Sequence, residues 1–123
     1  MKRVKLEEMS DQQLLERFVA IALEQDQAIL YDDNARYNRL YDRMGDVRQE
    51  LKSRPGDGRR ALTALFNHPN AQVRLKAAIT TLVMAREAAR TVLQEISDRH
   101  EYPQAADARG MLRALDEGTY TPS

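Results

Sequence analysis

His68 and His100 are the only imidazoles in the chain, and cysteine is absent. Lack of cysteine excludes disulfides, thiolate zinc sites and thiol nucleophiles. Neither histidine sits in an H-E-x-x-H or E-x-x-H spacing, which would put two ligands on one helix face. Asp98, His100 and Glu101 gather near an expected helix end, where a solvated loop holds no fixed ligand geometry. His68 precedes a Pro-Asn turn and is expected to satisfy a backbone carbonyl there. Asp32 with Asp33, and Asp116 with Glu117, are paired carboxylates. Acid–base work needs a shielded pocket that shifts a carboxyl pKa, and these pairs fall at helix ends, where capping and solvation account for them. Gly56-Asp57-Gly58 is a lone G-x-G with no third glycine, no following Lys-Ser or Lys-Thr and no preceding strand, so it reads as a turn. Ser10, Ser53 and Ser97 stand at caps or helix ends, where local hydrogen bonding explains serine. Hence no metal, no cofactor and no enzymatic reaction is expected. A small enzyme built from scattered acids and His68 is the opposing reading, and a structure without a polar pocket would count against it.

Charge is the sharper signal. Lys plus Arg number 19 and Asp plus Glu 19, so the formal net charge is zero. That balance hides segregation. Lys52, Arg54, Arg59, Arg60, Arg74 and Lys76 face one acid, Asp57, a formal +5 across residues 52–76. Residues 24–33 hold four acids and no base. The ordinary reading of such a cluster is solvated surface, and the functional ones are attraction of phosphates or of an acidic protein face. The six bases are the candidate partner-binding residues, with Arg54, Arg59 and Arg60 at their centre. Reversal of Arg59 and Arg60 to Glu is expected to weaken docking and leave the fold intact. Arg74 has a second reading, as a structural arginine paired with an acid on an adjacent helix. Zero net charge, and bases not interleaved with aromatics, weigh against nucleic acid.

The elements that must position these groups are helical. Hydrophobic residues make up 42% and charged ones 31%, which suits a globular chain. No segment alternates apolar and polar residues for long, so no half-buried strand is expected. Ser10 and Gln13 form a capping box, with Met9 and Leu14 placed as a hydrophobic staple. Leu14, Phe18, Ile21 and Ile29 then recur at helical spacing. Asp32-Asp33-Asn34 turns the chain. Tyr37, Leu40, Tyr41, Met44, Val47 and Leu51 form the apolar face of a second helix, so both tyrosines are expected in the core, with a place at an interface as the alternative. Gly45 interrupts that face. Close helix packing is the ordinary reason, and a hinge or partner contact the functional one. Arg54-Pro55-Gly56-Asp57-Gly58 is the strongest breaker, with Asp57 able to cap the next helix. A third helix covers about 59–67. His68-Pro69-Asn70 ends it and caps a fourth with Val73, Ala77 and Ala78, in which Val73 is expected to be buried and Ala77 close to a neighbouring helix. A fifth carries Ala88, Ala89, Val92, Leu93 and Ile96. A sixth starts near Pro103 and stops at Gly118.

Leu62-x-x-Leu65-Phe66-x-His68-Pro69-Asn70-x-x-Val73-Arg74-x-x-Ala77-Ala78 resembles the HEAT-repeat pattern. In that family the Asn caps the second helix, the Val enters the core and the small pair lets helices approach. A weaker second copy lies downstream, with Leu93 and Ile96 31 residues after Leu62 and Leu65. It departs at Asp107, which falls where Val73 stands. From Ser10 to Gly118 the chain resembles a small bacterial family of HEAT-like domains of unknown function. Its marks are Leu14 to Val19, Arg54-Pro55-Gly56-Asp57, His68-Pro69-Asn70 with Val73 to Ala78, and Leu115 to Gly118.

The expected fold is all-α, a HEAT-like stack of about six antiparallel helices forming a short α-solenoid. It is read as one domain over 1–123, with an N-terminal hairpin at about 10–53 as cap and the HEAT-like part at about 57–118. The resemblance implies a fold and no reaction. Helical solenoids present extended surfaces to partners, so the expected function is non-enzymatic protein binding, adaptor or immunity-type, with an acidic partner. Nucleic-acid binding through 52–76 is the alternative, and a homo-oligomer is compatible with either. No apolar run approaches the roughly 20 residues a membrane helix needs. Basic Met1-Lys2-Arg3 is succeeded by Glu7 and Glu8, not by an apolar signal core, so a cytoplasmic location is expected.

Overall fold

The computed structural model describes residues 5–123. The basic opening Met1-Lys2-Arg3 lies outside the described residues. The protein is all-helical, with no strand among the described residues. Five α-helices are α1 (Asp11–Leu30), α2 (Asn34–Ser53), α3 (Ala71–Thr81), α4 (Arg86–Asp98) and α5 (Gln104–Glu117), with 3-10 stretches at Leu6–Glu8 and Gly58–Leu65. The chain divides into two compact units, Met1–Ala61 and Leu62–Ser123. The seam falls inside the second 3-10 stretch, a few residues after the Pro-Gly turn.

The first unit is the α1–α2 hairpin. Ser10 accepts a hydrogen bond from the Gln13 amide at 3.1 Å, and Gln13 Oε1 accepts from the Ser10 amide at 2.8 Å, which completes the capping box. Leu14, Phe18, Ile21, Ala22 and Ala28 of α1 are buried, as are Leu40, Met44, Val47 and Leu51 of α2. Asp33 caps α2 by accepting from the Arg36 amide at 3.1 Å. Two details depart from the apolar pattern. Tyr41 is 59% exposed and Tyr37 half-buried, so this pair is not core. A Cβ built on Gly45 meets nothing within 4 Å, so helix packing does not require glycine there.

After α2 the chain turns through Pro55 and Gly56, with the Asp57 amide donating to the Arg54 carbonyl at 3.0 Å. Gly58 is sterically required, because a Cβ would stand 2.7 Å from the Leu51 carbonyl oxygen. The expected third helix is a 3-10 stretch. Its bonds run three residues back, as from the Arg60 amide to the Asp57 carbonyl at 3.2 Å. Breakers stand at both ends of this short segment, which favours the tighter helix.

In the second unit, Asn70 Oδ1 accepts from the amides of Gln72 at 2.8 Å and Val73 at 3.1 Å, fixing the start of α3. Val73, Ala77 and Ala78 are fully buried. The core joins Leu75, Ala78 and Leu82 with Ala89, Leu93 and Ile96 of α4 and Ala105, Ala108, Leu112 and Leu115 of α5. Asp107 is exposed on α5. Gly118 ends α5 in the left-handed region at φ 73°, the usual role of a terminal glycine.

Candidate functional site

The six candidate bases do not behave alike, and the difference arises from where each backbone position falls. Arg54 caps the end of α2. Its Nε donates to Glu50 at 2.8 Å, one terminal nitrogen to Asp11 at 3.0 Å, and the other to the Leu6 and Met9 carbonyls at 3.2 and 2.9 Å. It ties both ends of the hairpin and the first 3-10 turn together. Arg59 is only 4% exposed. It forks onto Asp57, with Nε to Oδ1 at 2.9 Å and a terminal nitrogen to Oδ2 at 2.6 Å, while Oδ1 also accepts the Arg59 amide at 3.2 Å. Hydrogen bonding by Arg59 holds the Asp57 carboxyl below its ordinary range, against the opposing effect of its partial burial. Nearby Lys52 adds to that lowering. Charge reversal at Arg59 would therefore disturb a buried pair, so the expectation that reversing Arg59 with Arg60 spares the fold is corrected at Arg59.

Arg74, in the second unit, is 7% exposed. Its two terminal nitrogens each donate to a Glu101 carboxylate oxygen at 2.7 Å, and its Nε donates to the His68 carbonyl at 2.7 Å. This is the structural-arginine reading, with the acid in the loop between α4 and α5. Hydrogen bonding by Arg74 lowers Glu101, and the same contact raises Arg74. Lys52 and Arg60 are exposed and Lys76 half-buried. Arg54, Arg59, Lys52 and Arg60 belong to the first unit, Arg74 and Lys76 to the second.

His68 differs from expectation. Its Nδ1 accepts from the Asn70 amide at 3.0 Å and does not meet a carbonyl. An accepting Nδ1 leaves the ring proton on Nε2 in the neutral side chain. The three residues near the α4 end diverge: Asp98 accepts from Gln94 at 2.9 Å, Glu101 holds Arg74, and His100 Nδ1 faces an Arg109 nitrogen at 3.2 Å. No group of three or more potential metal ligands occurs among the described residues.

Spacing along the chain does not reveal the Arg109 cluster. Arg109 Nε donates to Ser97 Oγ at 2.8 Å, one terminal nitrogen donates to the Ser97 carbonyl at 3.1 Å, and the other donates to the Tyr102 hydroxyl. Its guanidinium lies 5.2 Å from the Tyr102 ring centre. These donors hold the α4–α5 loop rather than offering a substrate cradle. An open groove of about 620 Å³ in the first unit is lined by Lys5, Leu6, Glu7, Asp46, Gln49, Glu50 and Ser53. Glu50 there already binds Arg54 and accepts from Ser53 Oγ at 3.4 Å.

No helix among the described residues is long and apolar enough to cross a membrane. Comparison with curated proteins gives no match. Among solved structures, the chain is similar to the protein RPA1889 from Rhodopseudomonas palustris CGA009. The TM-score is 0.94 at 43% identity, covering 98% of this chain and 100% of that one. Residues 12–116 match the family described as a domain of unknown function, DUF2019. Both matches span nearly the whole helical region, and the chain belongs to the DUF2019 family.

Proposed function

We propose that this chain is a non-enzymatic protein-interaction module on a HEAT-like scaffold, adaptor or immunity-type in role, with an acidic protein as partner. The carrying observation is how its polar groups are used. Arg54, Arg59, Arg74 and Arg109 are committed to carboxylates, hydroxyls and carbonyls of the chain itself. Buried polar side-chain atoms without a hydrogen-bond partner are absent among the described residues. Such a molecule keeps its strongest polar contacts for its own architecture and meets others through its surface. The HEAT-like reading is supported by Asn70 as cap, buried Val73, Ala77 and Ala78, and Arg74 bonded to the turn that precedes its helix. Stacked helices of this kind offer broad faces to partners. Within the basic region, Lys52 and Arg60 are the exposed members in the first unit.

Affinity capture with the tagged full chain in its native host tests the reading. The expected result is a stoichiometric protein whose association slows with added salt, since steering by exposed charge is screened beyond about 8 Å at physiological salt. Recovery of nucleic acid alone, or turnover of a small molecule by the purified chain, would overturn it.

A further inference from the structure

Three arginines of the α1–α2 hairpin outside the basic region are exposed and have no ion pair or hydrogen bond from their side chains among the described residues: Arg17 on α1, and Arg39 and Arg43 on α2. One contact places them. Arg36 reaches Glu24 across the hairpin at 3.3 Å, which marks one side common to both helices. Arg17 lies seven residues before Glu24, and Arg43 seven after Arg36. Seven residues are two helical turns with a drift of only about 20°, so each stays on the stripe of its reference residue. Because the helices are antiparallel, moving back along α1 and forward along α2 leads away from the hairpin tip together. Arg17 and Arg43 are therefore level, roughly 10 Å from the Glu24–Arg36 pair. Arg39 sits one turn below Arg36 on the same edge. Ala20, between Arg17 and Glu24, is exposed and small, which leaves the middle of the row open.

We infer that this side of the α1–α2 hairpin is the docking surface for a short acidic segment of a protein partner. The inference rests on the interaction-module reading and adds the surface and the chemistry that fits it. Three unpaired guanidiniums present forked donors suited to carboxylates. The row is bounded at the tip by the neutralised Glu24–Arg36 pair and at the other end by Asp46, one turn beyond Arg43. A basic zone that short matches two or three carboxylates. It does not match a nucleic-acid strand, which needs a longer track of phosphate contacts.

The test is fluorescence anisotropy with a labelled deca-glutamate peptide and a labelled single-stranded dT20, at low and moderate salt, using the full chain. Arg17→Glu, Arg39→Glu and Arg43→Glu are combined in one variant; Lys52→Glu and Arg60→Glu are combined in a second. Wild type is expected to bind the peptide more tightly than dT20. The hairpin variant should weaken peptide binding by about tenfold or more with an unchanged helical spectrum, as removal of a steering patch predicts. The corresponding triple change to Gln should give an intermediate loss, which keeps the test valid if reversal perturbs folding. No peptide binding, equal binding by the hairpin variant, or preference for dT20 would overturn the surface. In capture from the host, a protein retained equally by wild type and the hairpin variant overturns this surface and leaves the interaction reading standing. Loss of that protein only from the Lys52–Arg60 variant does the same.

Discussion

Arg59 and Arg60 are neighbours in sequence and opposites in structure, and the contrast yields a measurable difference. Arg59→Glu sets a carboxylate against Asp57 in a site with little access to water. It is expected to cost about 2–4 kcal/mol in urea unfolding, somewhat less than loss of a fully enclosed pair because Asp57 is partly exposed. Arg60→Glu, at an exposed position where a polar contact is worth little, should cost about 1 kcal/mol or less. Equal losses would show that the Arg59–Asp57 fork contributes nothing distinctive. Sequence charge could not separate the two. Both are arginines in a run with one acid, and burial depends on a 3-10 turn whose tightness is set by Gly58 against the Leu51 carbonyl. Arg74 was more legible, because its place after the Pro-Asn turn carried a structural alternative. Its partner Glu101 was not, since 27 residues separate them. Arg17, Arg39 and Arg43 are hidden for a related reason. They are scattered along the chain, and only hairpin pairing brings them to one side.

Helix boundaries were the most readable feature, because capping chemistry is local. Ser10 with Gln13, Asp33, Asn70 and Gly118 each stop or start a helix where their side chains or backbone freedom allow. Element type failed at Gly58–Leu65, where two breakers leave room for i to i+3 bonding rather than a stable α-helix. Facing was legible for the aliphatic residues but not for Tyr41, whose position one residue past Leu40 turns it out of the core. Two substitutions test this level. Ala77 is fully buried on α3, so Ala77→Leu should overpack and destabilise by about 1–3 kcal/mol. An unchanged melting temperature would mean that the site has slack. Gly45→Ala should do the reverse. Its Cβ meets no neighbour, and alanine is favoured over glycine in a helix interior by about 1 kcal/mol. A rise in the urea midpoint with unchanged m-value is the expected outcome, and a fall would mean that Gly45 has a backbone role the helix geometry does not reveal.

At the scale of the whole molecule, zero net charge coexists with carboxylates that are held charged by buried arginines, one in each unit. Asp57 and Glu101 both have pKa values lowered in the folded state, chiefly by hydrogen bonds from Arg59 and Arg74. In the unfolded chain each returns to the ordinary carboxylate range near pH 4. Around and below that pH the unfolded state binds more protons than the folded one, so stability falls as pH drops and is fully present only above the unfolded value. Loss then continues down to the lowered folded values. Urea unfolding from pH 7 to pH 2 should show a plateau at neutral pH and a decline beginning near pH 5. Self-repulsion adds to that decline as the acids neutralise and the bases remain. Glu101→Gln separates the two effects. It removes the paired charge, so at pH 7 the variant should be less stable than wild type by about 1–3 kcal/mol, with the partial exposure of Glu101 keeping the loss below that of a fully enclosed pair. The gap should narrow as acid protonates Glu101 in wild type, because both proteins then present Arg74 with a neutral partner. General repulsion acts on both alike and leaves the gap unchanged. A difference constant from pH 7 to pH 2 would show that the Arg74–Glu101 pair acts through shape and hydrogen-bond geometry, not through the charge of Glu101.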